Sequence, residues 1–268
     1  MEATRIRSKS SGSISAAAKA RRPANSAKSV IDSVKNTLGQ FGGGCNVGPV
    51  PSGPPQIKIV GGGGIFFIDD SQTWTNDRIW IMNGKVVVRN GGTLTIQEGT
   101  IIKAEDGQGT DATALVIAKG GTLTANGTAE SPIVFTDKAD QLSYSNTDRI
   151  SPNRVATDTG KWGGVIILGQ ATVGEDGGED DIEGIATGYD WTKYGGSLDA
   201  DSSGILNYIS IRHSGTALGN GDEIQGLTLG GVGSGTTVTN IEIVGSDDDG
   251  IEIFGGTVNV TNLTVWAQ

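Results

Sequence analysis

The spacing of apolar and polar residues becomes regular near residue 58. From there on, short runs with every second residue apolar alternate with turns rich in Gly, Asn and Asp. This is the pattern of half-buried β-strands. Three of these runs are self-similar: NYISIRHSG, TNIEIVGSD and TNLTVWAQ. Their alignment predicts two apolar columns of stacked residues, Ile209–Ile241–Leu263 and Ile211–Ile243–Val265.

A second kind of strand recurs in step with the first. GLTLGG at 226–231 corresponds to GIEIFGG at 250–256, and the sequence GGTLT occurs at both 91–95 and 120–124. Repeats of about 22 residues suit one coil of a parallel β-helix, in which coils stack at about 4.8 Å. A β-sandwich also has alternating strands, but it does not require self-similar coils. We therefore predict an all-β parallel β-helix over 58–268, with Asn240 and Asn262 stacked as a ladder at a turn.

Residues 1–57 have a different character and form a predicted separate region. The first part is basic and rich in Ser and Ala, which fits a flexible arm, an assembly arm or an organellar transit peptide over 1–28. Apolar residues over 29–41 share one helical face and predict a short amphipathic helix. The Gly- and Pro-rich stretch that follows is typical of a linker.

Several segments in a fixed order carry a family resemblance. They are TWTNDRIWIMNGKVVVRNGGTLTIQEGTIIKA, ALVIAKGGTLTANGTAESPIVFTD, GKWGGVIILGQA, IEGI and GLTLGGVGSGTTVTNIEIVGSDDDGIEIFGG. Together they resemble secreted, mostly bacterial right-handed parallel β-helix proteins of the pectin-lyase-like superfamily, over roughly 70–268. The resemblance implies a right-handed solenoid and an exported or surface protein, and it does not specify an activity.

Charge narrows the range of partners. Residues 1–40 hold eight Lys or Arg against two acidic residues, whereas 41–268 hold 12 against 28. The solenoid is therefore acidic and would repel the phosphates of a nucleic acid. No stretch approaches the roughly 20 apolar residues of a membrane span. One His and one Cys are too few for the usual Cys/His zinc site.

The turn GSDDDG is the strongest candidate for chemistry. Asp247, Asp248 and Asp249 follow one predicted strand directly. In the alignment of coils, Arg212 and His213 lie one rung below them. The predicted loop that carries Asp222 and Glu223 should emerge beside the same turn. These side chains are therefore expected to share one edge of the solenoid.

Three interpretations of this acidic edge remain open. Oxygen-rich clusters suit Ca²⁺, which takes six to eight oxygen ligands, so Asp247, Asp248, Asp249, Asp222 and Glu223 are the predicted metal ligands. A pair of carboxylates is also what an inverting glycosidase uses. However, the Gly-His-Gly and Arg-Ile-Lys motifs of polygalacturonases are absent. The third interpretation is a solvated acidic turn.

The sequence supports two classes of function. The first is a non-enzymatic structural or adhesive protein, extracellular or at the cell surface, whose partners are other copies of itself, other surface proteins or glycans. The second is a polysaccharide lyase or glycoside hydrolase acting through Asp247–Asp249. Arg212, His213 and Trp266 are the predicted ligand-binding residues in either case, Trp266 because it lies at an outward position of its strand.

Overall fold

The computed structural model describes residues 54–219 and 222–267, so the predicted arm and the helix over 29–41 lie outside the described residues. The regular secondary structure of the described chain is almost entirely β-strand. Its strands are β1 (Gln56–Ile68), β2 (Ser71–Trp74), β3 (Arg78–Val88), β4 (Thr93–Ile96), β5 (Ile101–Ala104), β6 (Ala114–Ile117), β7 (Thr122–Asn126), β8 (Ile133–Asp137), β9 (Val165–Leu168), β10 (Asp180–Asp181), β11 (Lys193–Tyr194), β12 (Gly204–Ser214), β13 (Thr216–Gly219), β14 (Asp222–Ile224), β15 (Leu227–Gly230), β16 (Thr237–Ser246), β17 (Ile251–Phe254) and β18 (Val260–Trp266). Two short 3-10 turns occur at Gly109–Asp111 and Asp190–Thr192. None of the described helices is long and apolar enough to span a membrane.

The strands wind into a right-handed parallel β-helix with three faces, and parallel pairing links each coil to the next. Face 1 consists of the ends of β1 and β3 together with β6, β9, β15 and β17. Face 2 consists of β2, β4, β7 and the first residues of β12, β16 and β18. Face 3 consists of the starts of β1 and β3, then β5, β8 and the remainder of β12, β16 and β18.

The predicted columns are confirmed. Ile209 pairs with Ile241, and Ile241 pairs with Leu263 in the next coil. Ile211, Ile243 and Val265 stack in the same way. The two GGTLT segments are also neighbours, since Thr93 pairs with Thr122. Inward-facing apolar residues of all three faces therefore form one continuous core along the axis.

The predicted asparagine ladder is confirmed and is longer than expected. The Nδ2 of Asn262 donates to Oδ1 of Asn240 (3.0 Å), and Asn240 donates to Asn207 (2.9 Å). Asn207 in turn donates to Asn126 (2.8 Å). Asn240 and Asn262 both have φ of 53°, a left-handed conformation that Asn tolerates well. The ladder thus fixes the corner between face 2 and face 3 over four coils.

Two insertions cover the outside of the solenoid. Residues 169–203 leave the corner between faces 1 and 2 and pack on face 1. Their apolar side chains form a second core there, Ile182, Ile185, Trp191 and Tyr194 against Val87, Val116, Ile166, Leu168 and Phe254. Residues 138–164 leave the corner between faces 3 and 1, and Leu142 and Tyr144 pack on outward isoleucines of face 3. Within the described part of the chain, no insertion packs on face 2 in this way.

Candidate functional site

The acidic turn lies at the corner between faces 3 and 1. It joins the end of β16 at Ser246 to the start of β17 at Ile251. The backbone N–H of Asp247 donates to the carbonyl of Ser214 (2.9 Å), and the hydroxyl of Ser246 donates to the carbonyl of Asp249 (2.9 Å). The turn therefore stacks directly on the previous coil and is closed by its own serine.

The three carboxylates are not equivalent. Asp247 is exposed, and the hydroxyl of Thr159 donates to its Oδ1 (2.9 Å). Asp248 and Asp249 are half-buried. Gly160 lies against Asp247: a Cβ added to this glycine would come within 3.1 Å of the Asp247 carboxyl carbon. Part of the 138–164 insertion thus forms one wall of this turn.

The loop that carries Asp222 and Glu223 is an antiparallel hairpin of β13 and β14, in which Ala217 pairs with Glu223. The hairpin leaves the coil beside the acidic turn. A Cβ on Gly215 would lie 2.5 Å from the Asp247 nitrogen, and a Cβ on Gly226 would lie 2.7 Å from the Gly250 oxygen. These two glycines therefore allow the close approach of hairpin and turn.

Metal binding at this edge stays a prediction. Within residues 54–219 and 222–267, no group of three or more His, Cys, Asp or Glu side chains is placed to hold a metal ion. Glu223 is half-buried on β14, and the side chain of Asp222 lies outside the described part of the structure. The structure therefore brings the turn and the hairpin base together without defining a ligand set.

Arg212 lies on the outward side of face 3 and is only 6% exposed. Its Nε donates to the hydroxyl of Ser210 (2.8 Å), and its Nη1 donates to the carbonyl of Arg149 (2.6 Å). Its Nη2 also faces Glu242 at 3.6 Å. The guanidinium therefore joins the 138–164 insertion to two coils of the solenoid.

His213 is 3% exposed and adopts a left-handed conformation with φ of 59°. Its Nδ1 lies 2.8 Å from the carbonyl oxygen of Asp158. Since that oxygen can only accept, Nδ1 carries the proton and Nε2 has the free lone pair. Burial, and to a lesser degree the positive charge of Arg212, lowers the pKa of His213 below its ordinary value. The imidazole is therefore neutral at pH 7 and holds the insertion against the coil.

Trp266 lies opposite Val244 on the outward side of face 3 and is half-buried. Its indole nitrogen is buried and has no hydrogen-bond partner among the described residues. A pocket of about 30 Å³ on this side of the solenoid is lined by Tyr208, Ser210, Arg212, Glu242 and Thr264, among others. Binding pockets for small molecules usually have about 300–1,000 Å³. This one has room for a water molecule rather than a sugar ring.

The sequence did not point to a buried ion pair in the same region. Asp137, at the end of β8, is fully buried, and the guanidinium of Arg154 donates to both of its carboxylate oxygens. Arg154 belongs to the 138–164 insertion. No repeat aligns with this insertion, so the sequence carried no signal that would place Arg154 against a coil.

A comparison with protein-family models found a match over residues 67–268 to a pectate-lyase-like β-helix domain. No curated protein matched the chain, and no solved structure matched it. The match covers all of the solenoid after the first strand, including the acidic turn, the hairpin and both insertions.

Proposed function

Since the chain belongs to the pectate-lyase-like β-helix family, we propose that it is a non-enzymatic structural or adhesive module of the cell surface or the extracellular space. In this role the solenoid contacts other copies of itself, other surface proteins or glycans. The sequence resemblance to exported proteins supports this location. An organelle is the alternative if residues 1–28 act as a transit peptide.

The observation that carries the proposal is the open edge of β1. Among the described strands β1 pairs only with β3, so its other edge has no strand partner within residues 54–219 and 222–267. Ile57 and Ile59 point outward there and are 60% and 56% exposed. A free strand edge with apolar side chains favours pairing with another chain. The first coil therefore offers a docking edge.

The candidate chemistry also supports a structural role. Arg212 and His213 are the cationic and titratable side chains nearest the aspartates in the coil alignment, and both are buried and bonded to the chain's own groups. General acid or base catalysis needs a group within hydrogen-bond reach of the substrate. Burial holds both side chains away from a polysaccharide.

A polysaccharide lyase or glycoside hydrolase is the second candidate. Two observations favour it: the family description names a lyase, and Asp247 is exposed to solvent at its corner of the solenoid. In this case Asp248 or Asp249 would supply the second carboxyl group of the pair.

The decisive experiment combines assembly with turnover. The purified chain should form species larger than its 27.5 kDa monomer in sedimentation velocity, and Ile57→Lys with Ile59→Lys should shift these species towards the monomer. The chain should not cleave pectin, polygalacturonate or alginate. A monomer at all concentrations would contradict assembly. Turnover that Asp247→Asn, Asp248→Asn or Asp249→Asn lowers a hundredfold without loss of folding would make the chain an enzyme.

Calcium is a separate prediction. If the folded acidic corner binds Ca²⁺, a free Ca²⁺ concentration of a hundred times Kd adds about 2.7 kcal/mol to the free energy of unfolding. For a domain of this size, each kcal/mol of added stability raises Tm by about 2–4 °C. Calorimetry and thermal melts with Ca²⁺, Mg²⁺ or chelator test it, with Asp248→Asn/Asp249→Asn as the variant. If the melting temperature does not change when a chelator is added, the acidic corner does not bind Ca²⁺, and the interpretation as a solvated acidic turn is the correct one.

A further inference from the structure

Face 2 presents rows of hydroxyl groups on its outer side. Its strands repeat the pattern Thr-x-Thr, at 93–95, 122–124 and 237–239. Since inward and outward residues alternate along a strand, both threonines of each pattern point to solvent. The outward positions of this face are Ser71, Thr73, Thr93, Thr95, Thr122, Thr124, Asn126, Ile205, Asn207, Thr237, Thr239 and Thr261.

This face differs from the rest of the surface in charge. Charged residues make up 19% of the chain, yet none of these outward positions is charged. All of them are exposed or half-buried. Insertions pack on faces 1 and 3, whereas none of the described residues forms a comparable cover on face 2. As far as the structure describes the chain, the acidic solenoid therefore has one face without an insertion on it, and this face is neutral and rich in hydroxyl groups.

The rows on face 2 are in register. The four strand pairs of this face that precede β18 show no register shift, so each outward column runs straight from coil to coil. The middle column contains Thr73, Thr95, Thr124, Ile205 and Thr237. Rows are about 4.8 Å apart across strands, and alternate residues are about 6.6 Å apart along a strand. The hydroxyls therefore lie on a two-dimensional grid, which is interrupted at Ile205 in the middle column and at Asn126 and Asn207 in the column beside it.

The grid is also rigid. Threonine is branched at Cβ, which restricts its χ1 rotamers. The hydroxyl of Thr261 donates to that of Thr239 (2.8 Å). The asparagine ladder runs along the corner next to these columns and fixes the spacing of the coils. A surface that is ordered before binding loses less entropy when a partner docks on it.

We propose that face 2 binds ice, and this rests on the adhesive role proposed above. Oxygen atoms on the prism faces of hexagonal ice recur with two perpendicular repeats of similar size to those of the grid. Because the hydroxyl grid is regular, it can contact an ice lattice at many points at once, each of them weak. A single soluble ligand would contact only a small part of the grid. A neutral face also fits an uncharged lattice better than a charged polymer.

The test compares two matched pairs of substitutions. Thr95→Lys with Thr124→Lys disrupts the middle of face 2. Thr110→Lys with Thr187→Lys adds the same charge at exposed positions outside face 2. We expect the parent and the control pair to enter growing ice and to slow its recrystallisation. The face 2 pair should lose at least tenfold in both measurements. Thr95→Leu with Thr124→Leu removes the same hydroxyls without adding charge and should show the same loss, and circular dichroism verifies the fold of each variant.

The proposal would be overturned if growing ice excludes the parent protein. It would also be overturned if the face 2 pair and the control pair lose the same amount of ice binding. Binding of the parent to cellulose or chitin without ice binding, abolished by the face 2 pair, would also overturn it, because the lattice would then be a glycan. Either failure leaves the proposed structural role intact, since the assembly and turnover experiments depend on β1 and the acidic turn.

Discussion

Ile243→Asp is expected to leave the β-helix unfolded at room temperature. Ile243 is fully buried in the column between Ile211 and Val265. The substitution removes about 1.5–3 kcal/mol of apolar burial. It also places a carboxylate in the core without a partner, at a cost of several kcal/mol. Whole domains are stable by only about 5–15 kcal/mol, so the combined loss is comparable to the total.

Far-UV circular dichroism of the variant should show loss of the β-sheet signal. Two controls separate the buried charge from other effects. Ile243→Val should cost about 0.5–1.5 kcal/mol, and Thr239→Asp, on the outward side of the same strand β16, should fold. A cooperative melt of Ile243→Asp within a few degrees of the parent would show that this column is not part of the core.

Arg154→Met is expected to destabilise the protein by about 3–5 kcal/mol, because it leaves the buried Asp137 carboxylate without its partner. Asp137 is fully buried, and its hydrogen bond with Arg154 raises the pKa of the Arg154 guanidinium above its ordinary value. In the described structure, the backbone N–H of Ala139 is then the only other group seen to donate to the Asp137 carboxylate. Thermal melting measures the loss, and limited proteolysis should cut the 138–164 insertion first.

The control is a double-mutant cycle with Asp137→Asn. An amide at this position needs no cation, so Asp137→Asn/Arg154→Met should recover part of the stability lost in the single variant. If the two single losses simply add, the ion pair contributes nothing to stability, and another contact holds the insertion.

The coils could be predicted from the sequence because each repeats the one before it. Ile209, Ile241 and Leu263 occupy equivalent places in consecutive repeats, so alignment of the chain with itself gave their register. The ladder was predicted only at Asn240 and Asn262. In the preceding coil the corner position is occupied by Tyr208, with φ of 48°, and the neighbouring Asn207 supplies the ladder amide instead. A shift of one residue hid this rung.

The insertions could not be predicted in the same way. His213 was expected near the aspartates, but its actual partner is the carbonyl of Asp158, which lies 55 residues earlier in the chain. The contacts of Arg212 with Arg149 have the same origin. These contacts depend on packing of non-repeating segments, for which neither periodicity nor spacing gives a signal. The sequence therefore predicted which elements meet at the corner, but it did not show how deeply Arg212 and His213 are buried.

The two insertions also separate the solenoid into two parts, and this separation affects the order in which the coils fold. Neighbouring rungs in the last coils are close in sequence, as for Asn262 and Asn240, which are 22 residues apart. Across the insertions the corresponding partners, Asn207 and Asn126, are 81 residues apart. Closing the longer loop costs about 1 kcal/mol more, and contacts between distant residues slow folding. We therefore expect residues 56–137 and 204–266 to nucleate as separate stacks that join late, which makes the seam between β8 and β12 the rate-limiting step in forming the solenoid.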